Sequence, residues 1–179
     1  EVYTTRPDTL FGSTFVTLAP EHPLAESLVG GTEHEAAWKE LYDEVSVTTE
    51  FDRIKNMNKK KGVFSGRFAV HPLTGEQVPI WFGNFVIATY GTGAVMAVPA
   101  HDERDFDFAQ KYEIPIKRVL VMTEDGDGSV PMKKAETDLG WMVNSPIEGF
   151  DGLHGDEAKE AICTALEQAG RGHQTINWK

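Results

Sequence analysis

Short segments rich in β-branched and aromatic residues constrain the fold of this chain more than any other feature. Four of them lie close together, at residues 63–70, 78–82, 85–88 and 94–98, with Gly or Pro between them. Segments of this length and composition are typical of strands, and Gly and Pro are typical of tight connections. Further strand patterns occur at residues 2–5, 14–19, 116–122 and 173–178. The sequence therefore predicts a sheet of many short strands.

Helical patterns lie between these segments. A short helix is predicted at residues 21–29, and a second is predicted to begin at a capping box formed by Thr32 and Glu35 and to end near Val45. The apolar stripe of that second helix is predicted to comprise Ala36, Ala37, Leu41 and Val45, with Trp38 beside it.

Two more helices are predicted in the second half of the chain. Asp102 is placed to cap a helix over residues 103–112, and Asp156 begins an amphipathic pattern that stops near Gly170. Many short strands with a few helices outside them predict an α+β domain around a small closed sheet.

The length and the ends of the chain bear on domain organisation. Its 179 residues are enough for one domain, so residues 1–179 are interpreted as a single unit. Both ends fall in strand-like patterns, so the chain is expected to be cut from a larger protein. Its one cysteine, Cys163, lies in an apolar helical pattern and is expected to be buried. No pattern of a signal peptide or a membrane span occurs, which predicts a cytoplasmic protein without a membrane partner.

The net charge of −11 argues against nucleic-acid binding, which usually needs a basic surface. The exception is a basic run at residues 53–61, which contains Arg53, Lys55, Lys59, Lys60 and Lys61. Such a run is most often a solvated loop. The conflict eases if another part of a larger protein holds the body of an RNA and this domain receives only its end.

One candidate site is the segment at residues 4–9. It holds three hydroxyl groups, on Thr4, Thr5 and Thr9, and the guanidinium of Arg6. Hydroxyl groups can donate to and accept from a small polar substrate, and an arginine can bind a phosphate or a carboxylate. The alternative is structural, because Thr suits strands and Asp suits turns.

A second candidate site lies at residues 90–105, where a glycine turn precedes a buried-looking strand and then a helix start. Asp102 and Asp105 fall on one side of the first helical turn. One can cap the helix while the other faces a cavity and pairs with a substrate ammonium group. The alternative is that both simply favour the helix N-terminus.

Metal sites are not indicated. The run at residues 123–128 resembles the start of a calcium loop, but Lys134 stands where the bidentate Glu should be. No zinc-type spacing occurs, and His101 with Asp102 and Asp105 makes a poor ligand set on one helical turn.

Together the two segments resemble the editing domain of bacterial-type leucyl-tRNA synthetases, known as connective peptide 1. Residues 4–9 are similar to the threonine-rich motif of that family, and residues 91–105 are similar to its second pocket motif. The related valyl-tRNA synthetase domain is the alternative, but it typically has Glu where this chain has Asp8. The motifs of the synthetic site are absent, so this chain is not expected to activate or transfer an amino acid.

The resemblance implies a fold, a reaction and roles for residues. The fold is a β-barrel-like core of short strands with peripheral helices. The reaction is hydrolysis of the ester that joins a noncognate amino acid, such as isoleucine, norvaline or methionine, to the 3′ end of leucine-specific tRNA. Thr4 and Thr5 are implied to stabilise the transition state, Asp105 to hold the substrate ammonium and Thr9 to exclude leucine. The other implied substrate-binding residues are Arg6, Ile87, Tyr90, Met96, Val98 and Asp102.

The resemblance also implies the partners. They are the tRNA 3′ end and the rest of the parent synthetase, which would itself use ATP and Mg²⁺, whereas editing needs no cofactor. A module that binds the tRNA end without catalysis would use the same pocket, and turnover of misacylated tRNA separates the two hypotheses.

Overall fold

The computed structural model describes residues 1–49, 51–52 and 60–175. A 3₁₀ helix at Pro7–Gly12 precedes strand β1 at Phe15–Leu18, helix α1 at Ala25–Val29 and helix α2 at Glu35–Ser46. There follow strands β2 at Gly62–Val70, β3 at Gln77–Gly83 and β4 at Ala94–Ala97. The last elements are helix α3 at Glu103–Lys111, strands β5 at Leu120–Val121 and β6 at Trp141–Met142, and helix α4 at Gly155–Gln168.

The four longer strands form one mixed sheet in the order β2-β3-β1-β4. Strand β1 pairs in parallel with β3, with Val16 opposite Ile80, and antiparallel with β4, with Phe15 opposite Ala97. The parallel pair needs a long connection, and α1, α2 and β2 supply it. Strands β5 and β6 form a separate antiparallel pair. The predicted α+β class, with short strands and peripheral helices, is confirmed.

Aromatic packing fixes α3 against the sheet. Phe108 of α3 is fully buried and stacks on Phe15 of β1, with 5.4 Å between ring centroids. Phe85 and Tyr112 also pack on the Phe108 ring, at 5.2 and 4.5 Å. Each buried aromatic side chain contributes roughly 1.5–3 kcal/mol of transfer free energy, so this cluster holds the helix in one orientation. The first turn of α3 is therefore presented to the end of β4.

Several predicted strands are wrong or shorter than predicted. Residues 2–5 form no strand, and residues 85–88 form turns in which Val86 donates to the Gly83 carbonyl. Both long edges of β3 already pair with β1 and β2, so the apolar segment that follows β3 contributes to the core from a loop. Of residues 116–122 only Leu120–Val121 are in a strand. Residues 173–175 form none, and residues 176–178 lie outside the described part of the chain.

The start of α2 differs in detail from the predicted capping box. The helix begins at Glu35, and the Glu35 carboxylate accepts from the Gly31 backbone at 2.7 Å instead of from Thr32. Ala36 and Ala37 are exposed, so their place in the apolar stripe was wrong, whereas Leu41 and Val45 are buried. Cys163 of α4 is half-buried and not fully buried. In the described residues no helix is long and apolar enough to cross a membrane.

His101 joins three segments below the start of α3. Its Nε2 accepts from the backbone N–H groups of Val119 and Leu120 at 3.1 and 3.2 Å, so Nδ1 carries the proton and donates to the Glu136 carbonyl at 3.0 Å. The side chain is 4% exposed. Burial lowers the pKa of His101 to about 4, so the ring is neutral at pH 7.

We predict that His101 makes the chain less stable in acid. Its pKa is lower in the folded state than in the unfolded state, so its stabilising contribution is complete above about pH 6.5 and is lost as the pH falls towards about 4. Over that window the loss is about 3 kcal/mol. Urea unfolding at pH 7 and pH 4.5 should show that the stability difference between the wild type and His101→Gln shrinks in acid. An equal difference at both pH values would contradict the assignment.

Candidate functional site

A cavity of about 500 Å³ opens between the N-terminal segment, the loop after β3, strand β4 and the start of α3. All ten residues that the sequence nominated line it: Thr4, Thr5, Arg6, Thr9, Ile87, Tyr90, Met96, Val98, Asp102 and Asp105. The sheet order explains why the two candidate segments lie together, because β1 and β4 are neighbours and the 3₁₀ helix leads directly into β1. Two segments that are about 90 residues apart in sequence are thus brought to one place.

Asp105 forms the floor of this cavity. It is 6% exposed, and its Oδ2 accepts from the Val98 backbone N–H at 2.9 Å. Burial, and then the charge of Asp102, raise the pKa of Asp105 to about 7. In the described part of the chain, no Lys, Arg or His lies within ion-pair distance of its carboxylate. A cationic group of a ligand would supply the missing partner.

Asp102 caps α3, as predicted. Its Oδ1 accepts from the backbone N–H groups of Arg104 and Asp105 at 2.8 and 3.3 Å. The same carboxylate holds the Arg104 guanidinium, with Nη2 at 2.8 Å from Oδ2 and Nε at 3.2 Å from Oδ1. Although burial opposes its ionised form, bonds from Arg104 hold the pKa of Asp102 below its usual value. Asp102 therefore contacts the cavity chiefly through the arginine that it orients.

The three threonine hydroxyl groups of residues 4–9 differ in their hydrogen bonds and in their exposure. Thr4 Oγ1 accepts from the Arg6 backbone N–H at 3.0 Å, which leaves its own proton for another acceptor. Thr5 is exposed, and its hydroxyl has no partner among the described residues. Thr9 is fully buried, and its Oγ1 donates to the Arg6 carbonyl at 2.8 Å. Thr9 thus both closes the first turn of the 3₁₀ helix and lines the cavity.

Arg6 is held by bonds within the chain. Its Nε and Nη2 bind the buried Asp8 carboxylate at 2.8–3.1 Å, and its Nη1 donates to the Thr137 carbonyl at 2.7 Å. Nη2 is also 3.3 Å from the Asp138 carbonyl. Every nitrogen of this guanidinium has a protein partner. Most of its five N–H donors are thus used within the chain, and one hydrogen of Nη1 is left for its predicted contact with RNA.

Part of the cavity wall is apolar, and aromatic side chains lie at its mouth. Met96 and Val98 are buried in the same core cluster as Leu10 of the 3₁₀ helix. Tyr90 is 62% exposed, and its ring meets the Tyr3 ring edge to face at 6.4 Å. Gly91 has a φ of 59°, and a Cβ there would lie 3.1 Å from Tyr3 Cβ. The positive φ favours glycine at this turn, and a Cβ would also crowd the tyrosine packed on it.

Several lining residues were not among the sequence candidates. They are Tyr3, Phe85, Val86, Thr89, Val95, His101 and Arg104. Arg104 could have been found, because it lies within the second motif and only two residues from the predicted helix cap. No sequence signal marks Phe85, since its apolar segment predicted a strand. No cluster of three or more metal-ligating side chains occurs among the described residues.

Comparison with known proteins assigns the family. The family described as leucyl-tRNA synthetase, editing domain, matches residues 1–167 of this chain. The chain belongs to this family. It is 46% identical over 178 residues to leucine–tRNA ligase of Nitratidesulfovibrio vulgaris strain Hildenborough, covering 99% of this chain and 21% of the relative. Its identity to leucine–tRNA ligase of Clostridium perfringens strain 13 is 46% over 179 residues, covering 100% of this chain and 21% of the relative.

A solved structure shows the same relation. The chain is similar to Agrobacterium radiobacter K84 agnB2 LeuRS, which was crystallised in a ternary complex with tRNA and LeuAMS. The TM-score is 0.69 and the identity 30%, covering 97% of this chain and 18% of the other. The predicted choice of the leucyl family over the valyl family is confirmed. The chain spans about a fifth of the length of the curated relatives that it matches.

We predict that the Arg6–Asp8 pair stabilises the editing-domain fold. Asp8 is 1% exposed, so Arg6→Gln leaves a buried carboxylate without its charge partner, at a cost of about 3 kcal/mol or more. The double variant Arg6→Gln/Asp8→Asn removes that charge and should recover part of the loss. Urea unfolding of the wild type, of the single variants Arg6→Gln and Asp8→Asn and of the double variant measures the coupling. An Arg6→Gln protein with unchanged stability would show that the pair is not structural.

Proposed function

We propose that this domain hydrolyses the ester bond of leucine-specific tRNA that carries a noncognate amino acid. The observation that carries the proposal is the buried Asp105 carboxylate, which has no cationic partner among the described residues, at the floor of a cavity lined by both family motifs. An aminoacyl ester presents an α-ammonium group, which is the partner such a carboxylate lacks. We also propose that the tRNA end and the rest of a cytoplasmic parent synthetase are the partners, as tRNA is for the Agrobacterium enzyme.

The hydroxyl groups supply the polar contacts of the reaction. The free proton of Thr4 Oγ1, whose lone pair already accepts from Arg6, can be donated to an oxygen of the ester. Thr5 brings a second hydroxyl to the same segment. Donors aimed at an oxygen that becomes negative in the tetrahedral transition state lower the barrier. No residue of the set is positioned as a covalent nucleophile, so an ordered water attacks, and we propose that no metal takes part.

The need for a separate site follows from the limits of discrimination by size. A single methylene changes binding by about 1–3 kcal/mol, which is too little for accurate synthesis. Isoleucine is an isomer of leucine, so the cavity must recognise where the side chain branches. Isoleucine, norvaline and methionine all lack the branch at Cγ that leucine has. Excluding that branch is the task proposed for Thr9.

We predict that Asp105→Asn abolishes hydrolysis without unfolding the chain. The amide oxygen can still accept from the Val98 N–H, but it cannot pair with an ammonium, so the loss of kcat/KM should reach about 2–5 kcal/mol, or roughly 30-fold or more. Deacylation of isoleucyl-tRNA by the full-length protein measures it. In the wild type, kcat/KM should fall below about pH 7, where the raised pKa leaves Asp105 protonated.

A stability measurement separates a role of Asp105 in binding the ammonium group from a role in holding the fold. Its pKa is higher folded than unfolded, so ionisation costs stability, and the cost grows from about pH 4 and is complete above about pH 7. Asp105→Asn should therefore be more stable than the wild type at pH 8. A folded Asp105→Asn or Asp105→Ala protein with normal turnover would exclude Asp105 as the ammonium site.

We predict that the γ-methyl of Thr9 excludes leucine. Its hydroxyl is engaged by the Arg6 carbonyl, so the methyl is the group left to meet a ligand. Thr9→Ala and Thr9→Ser should therefore hydrolyse leucyl-tRNA, because removing a methyl-scale clash is worth roughly 1–3 kcal/mol. Thr9→Val keeps the branch and loses the hydrogen bond, so it should spare leucyl-tRNA but lower the melting temperature.

Paired assays of isoleucyl- and leucyl-tRNA distinguish the outcomes. If Thr9→Ser and Thr9→Ala still spare leucine while clearing isoleucine normally, Thr9 is not the gate. If the wild type binds the misacylated end without turnover, the domain is a noncatalytic binding module.

A further inference from the structure

Among the described residues two cationic side chains line the cavity, and they differ in exposure and in how many N–H donors remain free. Arg6 has all three guanidinium nitrogens bound to protein groups, and its side chain is 25% exposed. Arg104 has two nitrogens on the Asp102 carboxylate, and its side chain is 57% exposed. In the part of the chain that the structure describes, Arg104 Nη1 has no partner. Among the described residues, Arg104 therefore has both N–H groups of Nη1 available for an anion, whereas Arg6 has one left on its Nη1.

The covalent continuity of an RNA strand says where its last phosphate must lie. If the aminoacyl group occupies the floor at Asp105, the strand has to leave the cavity through the mouth. The terminal nucleotide therefore lies between floor and mouth, and its 5′-phosphate lies at the mouth. Arg104 is placed to meet that phosphate, because it is adjacent in sequence to the buried Asp105 and its own side chain is exposed at the rim. Tyr90, also exposed on the wall, offers a ring on which a base can stack.

We propose that Arg104 binds the 5′-phosphate of the terminal nucleotide, and that Asp102 acts as the positioning residue that orients its guanidinium. This inference rests on the proposed function and adds a subsite to it. Asp102 presents a planar acceptor to one edge of the guanidinium, which fixes the side chain and leaves Nη1 directed away from the carboxylate. A guanidinium held in this way loses less freedom when it binds a phosphate, and its charged hydrogen bonds are strong. Asp102 then acts on the phosphate only through the Arg104 guanidinium that it orients.

The test uses two ligands that differ only in the phosphate. They are the nonhydrolysable amide analogue of 2′-isoleucyl-adenosine and the same compound with a 5′-phosphate. The full-length wild type should bind the phosphorylated compound roughly 10- to 100-fold more tightly. In Arg104→Gln the ratio of the two affinities should fall to about one. In Arg104→Lys, which keeps the charge but cannot form the fork with Asp102, the ratio should be intermediate.

A matched control and a kinetic readout complete the test. Arg171→Gln makes the same change of charge beyond the end of α4, away from the cavity lining, and should keep the wild-type ratio. With isoleucyl-tRNA, Arg104→Gln should raise KM far more than it lowers kcat. A persistent phosphate preference in Arg104→Gln, or none in the wild type, would overturn the inference while leaving hydrolysis intact. If the wild type binds neither compound and does not hydrolyse the ester, the proposed function fails first.

Discussion

The construction of this site depends on a buried carboxylate that has no cationic partner in the described part of the chain. Burial makes ionisation of Asp105 unfavourable, and this raises its pKa to about 7. The surrounding backbone partly offsets it, because the Val98 N–H donates to Oδ2 and the N-terminal end of α3 favours negative charge. Both contacts depend on the exact register between the end of β4 and the first turn of α3. The Phe108 cluster, which fixes α3 on the sheet, is therefore also what keeps the carboxylate in place.

Asp8 shows what the same residue type does when it has a partner. It is as deeply buried as Asp105, yet Arg6 binds both of its oxygens. Arg6 in turn reaches the carbonyl groups of Thr137 and Asp138, so the pair ties the threonine-rich segment to a distant loop. The result is a rigid wall beside Thr4 and Thr9. The Asp8 carboxylate thus has its partner within the chain and holds the cavity together, whereas we propose that the Asp105 carboxylate binds a ligand.

The parts of the structure that sequence could predict were those set by local pattern. Strands β1 to β4 have bounds close to those predicted, because runs of β-branched and aromatic residues mark them and Gly or Pro separates most of them. The cap at Asp102 and the end of α4 near Gly170 follow from the conformational preferences of single residues. The strand predicted at residues 85–88 was wrong. The composition of an apolar segment does not show that the preceding strand, β3, already pairs with two others. The meeting of residues 4–9 with residues 90–105 also followed from no pattern and was expected only from family resemblance.

The roles of the two arginines illustrate what no pattern contains. From the sequence, Arg6 alone was considered a candidate for binding an anion, and Arg104 was not singled out. The structure distinguishes them by the partners of each nitrogen, which depend on where residues 137 and 138 pass and on how α3 is capped. This distinction also bears on the net charge of −11. An acidic surface repels an RNA backbone at long range, whereas one oriented cation at the rim acts only on a phosphate that has already arrived. Such a domain is suited to receive an end delivered by other parts of a protein, and its own selectivity can then rest on the amino acid at Asp105 and Thr9.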